Sequence, residues 1–307
     1  MCPPPKLPPE AIQALFDEME NFQDLAAQLK PLPGEVPALE GIDIHGEVIP
    51  CSGPIGGDHI IYIDFKKRFD LAARIRRAQA ARRWRVARRL EENYRQAGIL
   101  LADVAGHRIT DALLTAMLHQ AFLLGVQYEL EISGTITVRL FEYINKRFYQ
   151  SSAVGKFLTM IYGEINEQGR FRFISAAHPP PKIFSFEFDR FVEISEDRLI
   201  SFPPIGTVPL RDDVDVRRHS SLLGHKDQYT VNEISLLGHQ DILLLYSDGL
   251  ADHENAAGEP YFPAHLEARL REVKHGTALE IGTALREHLL AFGQPADDVS
   301  FIVIKCQ

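Results

Sequence analysis

Cysteine is scarce. Cys2, Cys51 and Cys306 are the only three in 307 residues, odd in number and far apart. That excludes a disulfide framework and a Cys-based metal knuckle, and the expected location is the cytoplasm. Long apolar runs are missing as well. None approaches the roughly 20 residues of a bilayer-spanning helix, so no membrane segment is expected. The opening stretch, Met-Cys-Pro-Pro-Pro-Lys-Leu-Pro-Pro-Glu, has neither the charged nor the apolar region of a signal peptide. Tryptophan occurs once, at Trp84. Positive charge is sparse outside one segment: residues 66–98 hold twelve Lys/Arg against Asp70, Glu91 and Glu92, in a chain whose net charge is −9. A chain acidic elsewhere is not a general nucleic-acid binder, whereas that segment suits an acidic partner, another protomer or a regulator.

What is present reads as an ordinary globule, 45% hydrophobic and 24% charged. Residues 1–9 form a proline-rich tail. Ile12, Leu15, Phe16, Met19, Phe22 and Leu25 recur at helical spacing, which predicts a helix over 10–29. This helix is read either as a dimerisation or activation element or as simply packed on the body. Ile42, Ile44, Gly46 and Val48 alternate with polar residues as a first strand, and 59–65 is a second. The alanine- and arginine-rich stretch 66–98, free of Pro and Gly before Gly98, predicts a helix or helical hairpin inserted between two strands. Within it, Trp84 reads as a packing anchor against the body.

Helices are further expected over 132–149, 265–273 and 278–292. Hairpins are expected at 157–175, around Glu167-Gln168-Gly169, and at 182–194, around Asp189. Strands are expected over 229–236, 241–246 and 299–305. The division expected is a tail and helix over 1–35 and one α+β sandwich domain over 36–307.

Four acids abut short apolar runs. Asp103 follows Ile99–Ala102, Asp248 follows Ile242–Tyr246 and Ser247, Asp58 precedes Ile60–Ile63, and the pair Asp297-Asp298 precedes Val299–Ile304. After Asp103, the apolar residues Ile109, Ala112, Leu113, Ala116 and Met117 mark the buried stripe of a helix. If these strand ends lie together, four carboxylates converge. Like charges so placed raise one another's pKa unless a cation neutralises them. Oxygen-only donors favour Mg²⁺ or Mn²⁺ over zinc.

Six short motifs carry a resemblance. They are Gly-Gly-Asp at 56–58, Asp-Val-Ala-Gly-His at 103–107, Phe-Leu-Thr-Met-Ile-Tyr-Gly at 157–163, Ser-Ala-Ala-His-Pro-Pro at 175–180, Tyr-Ser-Asp-Gly-Leu at 246–250 and Asp-Asp-Val-Ser at 297–300. In this order they resemble the SpoIIE/RsbU-type branch of the PP2C (PPM) phosphatases, over about residues 10–305. The Gly-Gly-Asp also resembles a diguanylate cyclase signature, but His59-Ile60 stand where that signature has Glu-Phe.

The PP2C resemblance implies an antiparallel β-sandwich flanked by helices on both faces, with a two-metal site at one end. It implies that Asp103 bridges two divalent cations, Mn²⁺ or Mg²⁺, with the backbone carbonyl of Val104 as a further ligand. Asp58 would serve one metal, and Asp248 and Asp297 the other, leaving Asp298 as a hydrogen-bonding neighbour. The implied reaction is attack of a metal-activated water on phosphoserine or phosphothreonine. The implied substrate is an anti-sigma-factor antagonist of STAS type in a bacterial partner-switching circuit. The alternative is a pseudophosphatase that binds partners without catalysis.

The sequence departs from the family pattern in three places. Ala105 stands where eukaryotic relatives carry a histidine, which leaves His107, four residues after Asp103, as a candidate for catalysis or for holding the turn. Ser-Ala-Ala-His replaces the usual Asn-Ala-Gly-His, so His178 keeps its place, as a structural histidine beside the cleft, and its glycine neighbour is lost. The basic insertion 66–98 replaces a short hairpin and is read as able to gate the metal end.

Overall fold

The computed structural model describes residues 8–27, 35–51, 56–104, 109–151, 157–195, 199–211, 224–235 and 238–307. The chain opens with α1 (Pro9–Ala27), β1 (Ile42–Ile49) and β2 (His59–Asp64). It continues through α2 (Phe65–Arg68), α3 (Leu71–Ala80), α4 (Trp84–Glu92) and, after a short 3-10 turn, β3 (Gln96–Val104). Two long helices follow, α5 (Ile109–Ile132) and α6 (Val138–Ser151). The strands β4 (Leu158–Asn166), β5 (Phe171–Ala176), β6 (Lys182–Ser185), β7 (Arg190–Val192), β8 (Ser201–Phe202), β9 (Asn232–Ile234) and β10 (Ile242–Tyr246) come next. The chain closes with α7 (Asp248–Ala251), α8 (Ala264–Val273), α9 (Ala278–Phe292) and β11 (Val299–Cys306).

Burial along the strands dictates the layering. β2, β10 and β11 are buried at every residue, so each needs cover on both faces. One sheet runs β1-β11-β10-β6-β7 and the other β2-β3-β4-β5-β8, with β9 also on β5; all pairs are antiparallel except β5–β8. Between the sheets lie Ile44, Ile60, Tyr62, Ile99, Leu101, Phe173, Leu243 and Ile302. The outer face of the second sheet packs under α5 and α6 through Leu100, Leu118, Phe122 and Phe141. The outer face of the first packs under α8 and α9 through Leu244, Phe301, Leu270 and Leu285. The helix–sheet–sheet–helix order is the architecture that the motifs imply.

The basic insertion is a helical hairpin that serves two purposes. Leu71, Ala78, Ala87 and Leu90 are buried in the core beneath α5 and α6. Four of its arginines act on the C-terminal end of α5: Arg83 donates to the carbonyls of Glu131 (2.8 Å) and Ile132 (2.6 Å), Arg89 donates to Ser133 O, and Arg74 and Arg77 both pair with Glu131. Unsatisfied carbonyls and the negative end of the helix dipole favour cations there. The remaining arginines Arg76, Arg82, Arg85 and Arg88 are exposed.

Four expectations need correction. The insertion leaves β2 at Asp64, opposite Ala97, whereas Asp58 and Asp103 lie at the other end of the β2–β3 pair, where His59 faces Ala102. Six residues of strand put about 20 Å between them, so the hairpin does not gate the acids. Trp84 is 64% exposed, so it is not buried against the body as an anchor would be.

The helix expected from residue 132 begins at Val138, because α5 runs on to Ile132 and stops at Gly134, whose φ of +75° suits glycine. Finally, Leu113 and Met117 face outward, 52% and 38% exposed. The buried stripe is instead Asp111, Ala112, Thr115, Leu118, Phe122 and Val126. α5 is apolar on nearly all sides, so apolar spacing alone does not select its inward face.

Candidate active site at one end of the sandwich

Antiparallel pairing brings the end of one strand beside the start of the next. Asp58, just before β2, therefore stands beside the end of β3, which carries Asp103 opposite Thr159 of β4. In the facing sheet Tyr246 pairs with Phe301, so Asp248, two residues after β10, stands beside the Asp297-Asp298 pair that leads into β11. Both sets of ends lie at the same end of the sandwich.

The acids form a graded cleft. Asp58 is buried at its floor, Asp103 is partly buried above it, and Asp248 and Asp297 are exposed at the mouth. Asp103 hydrogen-bonds to both Asp58 and Asp248, and so occupies the centre of the group. Burial, then the charges of Asp248 and Asp297, push Asp103 up to about 7. Burial, followed by the charge of Asp103, holds Asp58 well above the usual carboxylate range, against the opposing hydrogen bond from Ser247. Asp248 is raised by desolvation and by Asp297. The charges that raise these three groups are all carboxylates. Among the described residues, no three His, Cys, Asp or Glu side chains form a group that could hold a metal ion as they stand.

The second acid of the pair has a different task. Asp298 accepts from the backbone N–H of Cys51 (2.7 Å) and Gly57 (2.6 Å), which ties the segment before Asp58 to the start of β11. Its own N–H donates to Asp297 Oδ1 at 2.8 Å. Two residues that sequence reasoning passed over complete the scaffold. Ser247 donates from Oγ to Asp58 Oδ2 (2.7 Å) while its Oγ accepts from Ser300 N (2.9 Å). Thr115, on the buried face of α5, donates to Gly57 O at 3.2 Å. The signal for Thr115 was a hydroxyl inside an apolar helix; for Ser247 it was its place before Asp248 in the Ser-Asp-Gly motif. His107 lies outside the described residues.

Gly249 marks how tightly the two sides meet, because a Cβ there would land on the carbonyl oxygen of Asp298. Gly249→Ala is expected to push Asp248 away from Asp103, to cut activity at least about tenfold and to lower stability by about 1–3 kcal/mol, because the atom met is backbone. Steady-state kinetics beside thermal melting checks this.

His178 is buried, with Nδ1 3.0 Å from Thr159 Oγ1, and burial lowers it to about 3, so it is a neutral imidazole. Its Nδ1 hydrogen bond thus runs to Thr159 rather than to one of the acids. Beside it, Ala177 adopts φ +51°, the left-handed region in which relatives' glycine is at ease. Ala177→Gly is expected to stabilise the protein by about 0.5–1 kcal/mol, the relief of strain less the added freedom of the unfolded chain. Chemical denaturation measures it.

This fold and this cleft define a PP2C-type protein. The family model described as stage II sporulation protein E (SpoIIE) matches residues 93–307, and the chain belongs to that family. No curated protein shows significant sequence similarity to the chain. Among solved structures, the SiaA-PP2C domain of Pseudomonas aeruginosa is 14% identical, covering 96% of this chain and 97% of that one, with a TM-score of 0.62. The RsbU and RsbW domains of Rv1364c from Mycobacterium tuberculosis are 20% identical over 88% of this chain, TM-score 0.57, and this chain spans 61% of that structure. The PP2C phosphatase domain and regulatory fragment of SpoIIE from Bacillus subtilis are 14% identical over 87% of this chain and 64% of that one, TM-score 0.57. Among the described residues, no helix is long and apolar enough to cross a membrane.

Proposed function

We propose that this chain is a cytoplasmic serine/threonine phosphatase. In this reading it uses two divalent cations, Mn²⁺ or Mg²⁺, held by Asp58, Asp103, the carbonyl of Val104, Asp248 and Asp297. The observation that carries the reading is the meeting of Asp58, Asp103 and Asp248, from three distant parts of the chain, with raised pKa values and only carboxylates as the charges raising them. The donor set suits hard divalent cations in kind: it is all oxygen, it runs from a buried floor to an open mouth, and a cation would relieve its repulsion.

When bound, such cations neutralise charge on the phosphoryl oxygens and make water a competent nucleophile near neutral pH. The chain's own residues do the positioning. Ser247 fixes one oxygen of Asp58, Asp298 anchors the Gly56-Gly57 turn, and Thr115 holds Gly57 from the helix side. Asp103, in contact with both Asp58 and Asp248, is the carboxylate that would serve both cations.

The substrate we propose is a phosphorylated regulatory protein of the anti-sigma-factor-antagonist (STAS) type, on the strength of membership in the SpoIIE family. Manganese-dependent phosphate release from a phosphoserine peptide is the direct test, with activity abolished in Asp103→Asn and Asp248→Asn. A silent wild-type enzyme would leave the fold as a partner-binding module.

The exposed face of the insertion supports an acidic docking partner, since the exposed Arg82 and Arg85 flank the exposed Trp84 in the sequence. Quenching or shift of Trp84 fluorescence by a Glu-rich peptide, lost at 0.5 M salt, is the expected signature.

A further inference from the structure

Next to the acids lies a cavity of about 660 Å³ that the hydrolytic reading does not use. Asp248 forms one end of it. Its walls come from the ends of β4 and β5, from Pro179-Pro180, and from Leu199, Ile200 and Ser201. Phe173 of β5 lies on its floor.

The walls are held firmly. Asn232 donates from Nδ2 to Ile200 O and accepts from Ile200 N, both at 2.8 Å, so both backbone groups of Ile200 are satisfied. Ser201 Oγ accepts from Ala177 N (3.2 Å) and lies 3.3 Å from Ser175 Oγ, which stitches the wall to β5. Ile200 is nonetheless 46% exposed, on a backbone held in place by Asn232. Among the described residues, Asp248 is the only charged side chain in the lining, and none is a Lys or Arg.

We propose that this cavity is the specificity pocket for the substrate chain: it takes an apolar side chain lying one to three residues from the phosphoserine and discriminates against acidic ones. The inference rests on the phosphatase reading, which places the phosphoryl group at Asp248. Its continuity with that residue sets the reach, since an extended peptide rises about 3.3 Å per residue and so enters the cavity within a few positions. Apolar atoms of Phe173, Pro180, Leu199 and Ile200 bury the incoming side chain. A carboxylate there would lose its hydration and, among the described lining residues, meet no Lys or Arg in return.

The experiment compares, on the full chain with Mn²⁺, phosphoserine peptides flanked by Leu or Phe with otherwise identical peptides flanked by Asp. p-Nitrophenyl phosphate reads the reacting centre alone. Wild type is expected to prefer the apolar peptides by about tenfold or more in kcat/KM, carried mainly by KM. Ile200→Asp, at an exposed position that tolerates the change, is expected to erase that preference while p-nitrophenyl phosphate turnover stays within about twofold. Ile200→Leu is expected to keep both.

Equal kcat/KM for Leu- and Asp-flanked peptides in wild type, or an unchanged preference in Ile200→Asp, overturns the proposal. Loss of p-nitrophenyl phosphate hydrolysis in wild type instead overturns the phosphatase reading. In that event fluorescence anisotropy of the labelled peptides decides the pocket on its own: tighter binding of the Leu-flanked peptide, lost in Ile200→Asp, sustains it, and equal binding ends it.

Discussion

Asp103→Asn is expected to abolish phosphatase activity, by more than about 100-fold, while making the cation-free protein more stable. The two effects have one cause. Asp103 is the carboxylate in contact with both Asp58 and Asp248, so its replacement by a neutral amide removes a donor to both cations and exceeds the ~10–100-fold cost of disturbing a ligand's supporting partner. Without cations, the same replacement removes a charge that burial and two neighbouring carboxylates push up to about 7. That relief is on the order of 2 kcal/mol at neutral pH, reduced from the full shift because the group is partly exposed and its neighbours share the repulsion. Activity assays beside urea denaturation in EDTA check both halves. A variant that lost activity by simple unfolding would show lower stability, not higher.

The second large effect is a pH dependence that divalent cations suppress. Asp58, Asp103 and Asp248 all stand above the ordinary carboxyl value of 3.8, Asp103 at about 7. Between those values the folded chain binds more protons than the unfolded chain, so this group's contribution to stability is present below pH ~4 and is lost as pH rises to ~7. A bound cation takes the protons' place and reverses the loss, because binding to the folded state alone adds stability with cation concentration. In EDTA, the stability of wild type relative to Asp103→Asn is expected to fall steadily from pH 4.5 to 7.5. In millimolar Mn²⁺ the order is expected to invert at the alkaline end. A flat difference across pH would mean that the acids do not repel one another.

Much of this was legible in the sequence because local signals agreed with the fold. Thr277 and Glu280 form a capping box, and α9 runs from Ala278 to Phe292 as the spacing indicates. Gly169 at φ +72° turns the β4–β5 hairpin where Glu-Gln-Gly predicts it. The acids were legible because each interrupts an apolar run at its end; Asp298 accepts from the backbone N–H groups of Cys51 and Gly57, the hydrogen-bonding place expected of the second acid.

What was not legible depends on distant contacts. Nothing local in α5 distinguishes Leu113 from Leu118, yet one is exposed and the other fully buried, because the packed face is chosen by β3 and by the Thr115–Gly57 hydrogen bond. The role of the arginine hairpin was hidden for the same reason. Its partners are the free carbonyls at the end of α5, about forty to fifty residues away, and no spacing rule points to them. Ser247 was overlooked because a serine beside an aspartate carries no pattern until Asp58, 189 positions earlier, is brought against it.

Manganese-edge anomalous diffraction from crystals of the full chain soaked in Mn²⁺ tests the central claim most directly. The account predicts two peaks in the cleft, both reached by Asp103, with Asp58 on the buried side and Asp248 and Asp297 at the mouth. Peaks elsewhere, or none while Asp103 stays hydrogen-bonded to Asp58 and Asp248, would contradict it.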